Sequence, residues 1–260
     1  MDFVGPNVGA MACGETGPGR MAEPEEIFAA IRARLNPCSS RPLAGKKLVI
    51  TAGPTYEPID PVRYIANRSS GKQGYALADA GRLAGADVVL VSGPVHLPPP
   101  RDVRLVVVET AREMAAAVDS ALPCDIFIAA AAVSDWRIAA DAAQKIKKGD
   151  EGPPTLQLIE NPDILASIAR RSQGRPAIVV GFAAETEKLI EHARAKLAKK
   201  GCDLIVANHV GVGSEVMGGE ENTMVLVAAD GEESWPKMSK DEAARRLIAH
   251  IAQMSVRREG

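Results

Sequence analysis

Residues Lys47–Gly74 read KLVITAGPTYEPIDPVRYIANRSSGKQG, and the way this stretch divides sets the architecture expected of the whole chain. KLVIT (Lys47–Thr51) is a short, continuous apolar run, the pattern of a strand buried on both faces. A helix is expected from about Gly71 to Leu83. A long loop separates them, whereas strand-to-helix connections usually take about 2–6 residues. Loops of that length inside a compact domain are usually functional or disordered. The last part, NRSSGKQG (Asn67–Gly74), is half a phosphate loop. Lys72 follows Gly71, but Gln73 stands where G-x-x-x-x-G-K-[ST] needs a hydroxyl, and the first glycine is missing. Ser69, Ser70 and Gly71 at a helix start suit anion capture by helix N–H groups. Lys72 taken alone reads equally well as a solvated surface charge.

Further apolar runs follow at DVVLVSG (Asp87–Gly93), RLVVVET (Arg104–Thr110), DIFIAAAA (Asp125–Ala132), AIVVGFAA (Ala177–Ala184) and DLIVAN (Asp203–Asn208). Amphipathic helices alternate with them. Thr110 and Glu113 form a capping box that opens Ala111–Ala121, and Gly201 stops a helix over Thr186–Lys200. The expected fold is α/β, a Rossmann-like doubly wound parallel sheet covered on both faces. Ligands bind such sheets outside the carboxyl ends of the strands. TLQLIE (Thr155–Glu160), NTMVLVAAD (Asn222–Asp230) and EESWPKM (Glu232–Met238) have hairpin character, with a turn signal at Asp230-Gly231. They are expected to form an antiparallel extension able to pair subunits in a dimer. Ser239 and Glu242 make a second capping box before a helix over Lys240–Gln253. No internal repeat is visible.

The composition is that of an ordinary soluble globular protein of 260 residues, 46% hydrophobic and 25% charged. A net charge of -2 gives no bulk attraction to nucleic acid or to an anionic membrane. No apolar run reaches the ~18 residues of a membrane span, and no signal peptide is visible. Cys13, Cys38, Cys124 and Cys202 are scattered without a C-x-x-C pair, which reads as reduced thiols and a cytoplasmic location. The four histidines form no H-x-x-x-H pair. Residues 1–40 are rich in Gly and Pro, with a helical pattern over Glu25–Leu35, and Asn36–Gly45 reads as a linker. Residues 41–260 are expected to form the α/β domain.

GPTYEP does not satisfy G-x-G-x-x-G, and the second strand ends VSGP rather than on an acid, so a nicotinamide-dependent oxidoreductase is disfavoured. Several polar clusters have ordinary readings. Lys145, Lys147 and Lys148 form a basic run, Asn67 suits a turn, and Ala129, Ala130 and Ala131 suit tight helix–sheet packing. Asn161 and Pro162 suit a helix cap and first turn, Phe182 suits a core, and Lys196 and Lys200 share one helix face.

Six motifs in order, ITAGPTYEPIDPVRYIANRSSGKQG, AAAAVSDWR, KIKK, ENPDIL, GFAAET and DLIVAN, make the chain resemble bacterial phosphopantothenoylcysteine synthetase (phosphopantothenate–cysteine ligase). That family is the ligase half of a bifunctional coenzyme A biosynthesis protein, and the resemblance runs from about Lys46 to Ile251. ACGETGPGRMAEPEEI separately resembles the end of the partner decarboxylase half, where a covering flap carries a proton-donating cysteine, here Cys13. The FMN-binding body of that half is not found in these residues, so no decarboxylation is expected from this chain alone. A scaffold that only oligomerises a flavoprotein half is the non-enzymatic alternative.

The resemblance implies the chemistry. The carboxylate of 4'-phosphopantothenate attacks the α-phosphorus of CTP, pyrophosphate leaves, and the amine of L-cysteine displaces CMP from the acyl-cytidylate. Related eukaryotic ligases prefer ATP. Concentrated negative charge calls for cations and aimed donors, and for Mg²⁺ or Mn²⁺ on the phosphates. By resemblance Lys145 serves acyl-cytidylate formation and Asn67 serves its conversion. Ala129–Ala131, Asp135, Lys145, the segment Pro162, Asp163, Ile164 and Leu165, and Phe182, Lys196 and Lys200 are expected to contact the nucleotide. Ser69, Ser70 and Gly71 take a substrate phosphate. A glycine-rich stretch, Gly211–Thr223, is a candidate mobile cover.

Overall fold

The computed structural model describes residues 4–10, 16–24, 26–28, 41–147, 155–209 and 221–259. The chain divides into two compact units, Met1–Arg41 and Pro42–Gly260. In the first, strands β1 (Asn7–Ala10) and β2 (Thr16–Arg20) pair antiparallel. Residues 24 and 26–28 are helical, and the rest of the helix expected over Glu25–Leu35 lies outside the described residues, as does Cys13.

The second unit is built on β3 (Lys47–Ala52), β6 (Asp87–Ser92), β7 (Arg104–Val107), β8 (Ile126–Ala129), β11 (Ile178–Glu185) and β12 (Leu204–His209). All six are parallel, and the third, second, first, fourth, fifth and sixth in chain order lie side by side. The order reverses between β3 and β8, which is the switch point where such sheets hold their ligands. Leu48 and Ile50 point to one face and Val49 to the other, and all three are fully buried. This is why KLVIT shows no alternation.

Helices α1 (Lys72–Leu83) and α5 (Lys240–Glu259) cover the first face, through Leu77, Leu247, Ile248 and Ile251. Helices α2 (Ala111–Ala121), α3 (Ile164–Ala169) and α4 (Leu189–Lys200) cover the second, through Met114, Val118, Ile168 and Ala193. The capping box on α2 is present in both directions. Glu57 is buried beside it and accepts from the Ala111 N–H at 2.9 Å, so the long loop is fastened to the α2 N-terminus. Gly201 ends α4 at φ 74, while α4 starts three residues later than its expected Thr186. α5 runs six residues beyond Gln253, and Ser239 Oγ accepts from the Glu242 N–H at 3.2 Å.

The antiparallel extension is present. β14 (Met224–Ala228) pairs with β12, and β15 (Gly231–Ser234) pairs with β14. The turn sits at Ala229-Asp230, one residue before the expected dipeptide, because Ala228 pairs with Gly231. Short strands β13 (Glu221–Asn222) and β16 (Met238–Ser239) pair with each other. TLQLIE pairs elsewhere. Its β10 (Leu158–Glu160) joins β9 (Trp136–Ile138).

The loop after β3 is not irregular. It contains a hairpin of β4 (Tyr56–Asp60) and β5 (Arg63–Ala66), with the Tyr56 and Tyr64 rings stacked 4.0 Å apart. No helix among the described residues is long and apolar enough to cross a membrane.

Candidate functional site

A cleft of about 900 Å³ opens at the switch point. One wall is the loop that leads into α1. Gly71 begins that helix at φ 74, a conformation that favours glycine. No side chain caps the helix, and its first turn holds no acid. Ser69 Oγ instead accepts from the Gly71 N–H at 3.2 Å and holds the loop tight. At Gly74 the helix passes so close to β3 that an added Cβ would stand 2.5 Å from Ala52 Cβ.

The floor is the loop after β8. The Ala130 N–H donates to the Thr51 carbonyl at 3.2 Å, and the Ala131 N–H to Thr51 Oγ1 at 3.3 Å. The Ser134 N–H reaches Thr55 Oγ1 at 3.0 Å. Asn67 Nδ2 donates to the Val133 carbonyl at 2.9 Å, which ties wall to floor and leaves the amide its second N–H and its oxygen for a ligand.

The opposite wall comes from α3, β11 and α4. The cap of α3 is Asp163, not the expected Asn161: Asp163 Oδ1 accepts from the Ala166 N–H at 3.0 Å. Asn161 instead donates to the Ser134 carbonyl at 2.9 Å, so Pro162 precedes the helix rather than opening it. Asp163 also pairs with the Lys200 ammonium. Burial would push the Asp163 carboxyl up, but Lys200 and the Ala166 N–H outweigh it and hold it below the usual range. Lys196 Nζ donates to the Phe182 carbonyl at 2.8 Å. Burial and the neighbouring charge of Lys200 push the Lys196 pKa down, against the pull of Glu185 and Asp135.

An anion bound beside Lys196 favours its charged form, so binding takes up a proton once the pH is high enough for the free site to have lost it. Affinity for an anion at this lysine is therefore expected to fall as pH rises through that lowered value. Between the lowered pKa and the ordinary 10.5 the unfolded chain keeps a proton the folded chain has lost, so this group's contribution to stability rises with pH. Titration calorimetry in two buffers of different ionisation enthalpy reads the proton uptake, and Lys196→Met is expected to abolish it.

Asn67, Ser69, Ser70, Gly71, Ala129, Ala130, Ala131, Asp135, Pro162, Asp163, Ile164, Leu165, Phe182, Lys196 and Lys200 all line this one cleft. Lys145 does not. It is exposed on the segment after β9, where its neighbour Ile146 is held at the β4–β5 turn. Cys13, Lys148 and residues 211–220 of the candidate cover lie outside the described residues. Cys124 and Cys202 are free, and burial pushes both thiols up to about 11, which leaves them unreactive.

Sequence reasoning missed several lining residues. Asn208 ends β12, a position the carboxyl-end rule points to. Lys240 is only 6% exposed and reaches the cleft from the start of α5, and no local motif marks it. Six basic side chains, of Arg68, Lys72, Lys196, Lys199, Lys200 and Lys240, face three carboxylates, of Asp135, Glu160 and Asp163. That excess suits an anionic ligand.

Among the described residues, two buried side-chain atoms have no hydrogen-bond partner, Gln73 Oε1 and Ser134 Oγ, and both residues line the cleft. A buried polar atom without a partner calls for an explanation, such as an ordered water or a bound ligand. No group of three or more metal-ligating side chains occurs among the described residues. Magnesium binds nucleotides through one or two carboxylates plus phosphates, and Asp135 in the cleft fits that mode.

Fold and cleft together define a doubly wound α/β protein with an anion-suited site at its switch point. Residues 43–254 match the model of the DNA/pantothenate metabolism flavoprotein C-terminal domain, and the chain belongs to that family. It is 48% identical over 246 residues to the coenzyme A biosynthesis bifunctional protein CoaBC of Vibrio cholerae, covering 94% of this chain and 61% of that protein. The protein of the same name from Escherichia coli K12 is 45% identical over 252 residues, again covering 61% of its length. The chain thus spans about three-fifths of these curated relatives. A crystal structure of the C-terminal domain of CoaBC superposes with a TM-score of 0.69 at 36% identity, covering 83% of this chain and 98% of that one. The DNA/pantothenate metabolism flavoprotein from Streptococcus pneumoniae, at 22% identity and a TM-score of 0.68 over 81% of this chain and all of that one, shares the fold.

Proposed function

We propose that this chain is a CTP-dependent ligase that condenses 4'-phosphopantothenate with L-cysteine in coenzyme A biosynthesis. The observation that carries this reading is the convergence of residues from 67 to 200 on one cationic cleft at the switch point. Likeness over most of the chain to relatives named for coenzyme A biosynthesis supports it.

In this reading Phe182 stacks on cytosine, and the Pro162–Leu165 and Ala129–Ala131 backbones read the nucleoside edge. Lys196 and Lys200 take phosphate oxygens, with Lys200 exchanging Asp163 for the ligand. Asp135 holds the ribose hydroxyls or the metal. Ser69, Ser70 and Gly71 hold the substrate phosphate at the α1 N-terminus. Bound Mg²⁺ or Mn²⁺ supplies charge neutralisation on the phosphates. The substrate carboxylate attacks the α-phosphorus and pyrophosphate leaves; Lys145, which the family likeness ties to this step, stands outside the cleft and has to reach it from the segment after β9. The cysteine amine then attacks the acyl carbon beside Asn67, and CMP leaves.

A homodimer belongs to the same proposal. Tyr64 on β5 and Trp136 and Leu158 on the β9–β10 pair are 47–54% exposed, and β4 touches β9, so these two strand pairs carry exposed apolar and aromatic side chains suited to a contact between copies. β15, rich in glutamate and exposed throughout, suits that contact less. Residues 1–40 are read as the end of an FMN-dependent decarboxylase half, and the location as cytoplasmic.

Pyrophosphate release from CTP with Mg²⁺, 4'-phosphopantothenate and cysteine tests the reading, with ATP as control. Release that prefers CTP, requires phosphopantothenate and falls about a hundredfold or more in Lys145→Gln is the expected result. Silence from folded protein with both nucleotides would favour a scaffold.

A further inference from the structure

Lys145 sits on an exposed run, yet the residue beside it is held with unusual care. The Ile146 N–H donates to Asp60 Oδ2 at 3.1 Å, and its carbonyl accepts from Arg63 Nη2 at 3.2 Å. Arg63 Nη1 closes the bracket on the same Asp60 Oδ2 at 3.0 Å. The Ala142 N–H, four residues back, donates to the Ile59 carbonyl at 3.0 Å. Residues 143–145 and 147 are exposed and Ile146 is only half-buried, so core packing does not explain the attachment.

The hairpin does not need it either. Asp60 Oδ1 alone makes the turn, accepting from the Val62 N–H at 2.8 Å and the Arg63 N–H at 3.0 Å. The second oxygen and the forked guanidinium serve Ile146. The Asp60 side chain is completely buried. Burial would push its carboxyl up, but the three backbone N–H groups and Arg63 hold it below the ordinary range, so it stays ionised wherever an enzyme of neutral pH works.

We propose that Asp60, with Arg63, is a positioning residue that fixes the backbone at Ile146 and thereby aims Lys145 in the first half-reaction. The proposal rests on the ligase reading, which gives Lys145 its task. Lys145 itself stands outside the cleft, so it has to reach the reacting phosphate from this segment; clamping its neighbour's N–H and carbonyl fixes the base from which it reaches and removes conformations that an unrestrained loop would sample. A misplacement of about 1 Å at a reacting group costs about a hundredfold in rate.

The test compares wild-type chain, Asp60→Ala, Lys145→Gln and the double variant. Pyrophosphate release from CTP is followed in each, with melting curves alongside. The expected result is a fall in kcat of about a hundredfold for Asp60→Ala, with KM for CTP changed less than about threefold. The double variant is expected to be no slower than Lys145→Gln alone, because the clamp acts only through that lysine. Losses that multiply in the double variant, or an Asp60→Ala variant at the wild-type rate, overturn the proposal. Where Asp60→Ala fails to fold, Asp60→Asn carries the same comparison, since its amide oxygen keeps the turn while the second carboxylate oxygen, which accepts from Ile146 and pairs with Arg63, is lost. Amide exchange at Ile146 gives a readout independent of catalysis, and it is expected to quicken at least tenfold in either variant. Wild-type chain without CTP-dependent release overturns the ligase reading itself. Wild-type release with Lys145→Gln silent and Asp60→Ala normal overturns the clamp alone.

Discussion

Asn67→Ala is expected to leave pyrophosphate release from CTP running for a single turnover while formation of the amide falls by about 10²–10³-fold. The two half-reactions place charge at different atoms. In the first, negative charge gathers on the oxygens around the α-phosphorus and on the leaving pyrophosphate, which in the ligase reading the cleft's lysines meet. In the second, an oxyanion develops on the acyl oxygen as the cysteine amine attacks the acyl carbon. Asn67 Nδ2 gives one N–H to the Val133 carbonyl at 2.9 Å, so its side chain is already fixed over the end of β8. In the ligase reading the remaining N–H serves as a donor to that oxyanion and the carbonyl oxygen as an acceptor for the amine proton. Loss of one aimed donor accounts for the magnitude. Rapid-quench mass spectrometry reads the outcome as about one equivalent of acyl-cytidylate accumulating per site. Equal losses in both half-reactions would remove the special role of Asn67. The lost tie to Val133 costs stability of about 1 kcal/mol, too little to mimic the effect.

Gly74→Val is expected to be the most damaging single change to the frame of the site. The new Cβ would stand 2.5 Å from Ala52 Cβ and 3.1 Å from Ala52 Cα, and the nearer obstacle is a short side chain fixed on a central strand. No rotamer relieves such a contact, so α1 has to lift from β3. Overpacking of this kind costs about 1–3 kcal/mol, and a chain of this size loses roughly 2–4 °C of Tm per kcal/mol. A fall of about 6–12 °C is expected, at the upper end because backbone is involved. Lifting α1 also moves Ser69–Gly71, so in the ligase reading phosphopantothenate affinity is expected to fall with stability. Thermal melting and a binding isotherm on the same preparation check both. A variant that melts like the wild type would mean that the helix and strand are less tightly apposed than the geometry states.

Much of this was legible in the sequence because the central strands are buried on both faces. Leu48, Val49 and Ile50 carry no polar residue, and the same holds for Ile126–Ile128 and Leu204–Val206, so their parallel pairing followed from composition alone. The α2 capping box and the Gly201 stop depend only on neighbours in sequence, and both are present. Harder to read were features set by tertiary contacts. The β4–β5 hairpin is hidden by Pro58 and Pro61, and its turn is held by Asp60 rather than by glycine. Asn161 looked like a cap, but the Ser134 carbonyl claims it, and Asp163 takes the helix. In the cleft, the residues carried over from family motifs come together except Lys145, whose segment is anchored at the hairpin instead. Lys240 arrives from a helix 166 residues beyond Gly74, and only folding brings it near.

The path of one oxygen atom tests the central claim most directly. With both carboxylate oxygens of 4'-phosphopantothenate labelled with ¹⁸O, complete turnover with CTP and cysteine is expected to leave one label in the amide product and one in CMP. Pyrophosphate is expected to carry none. That result requires the carboxylate to attack the α-phosphorus and CMP to leave from the acyl carbon. Label found in inorganic phosphate, CDP as the nucleotide product, or CMP without label would contradict an acyl-cytidylate and with it the ligase mechanism assigned to this cleft.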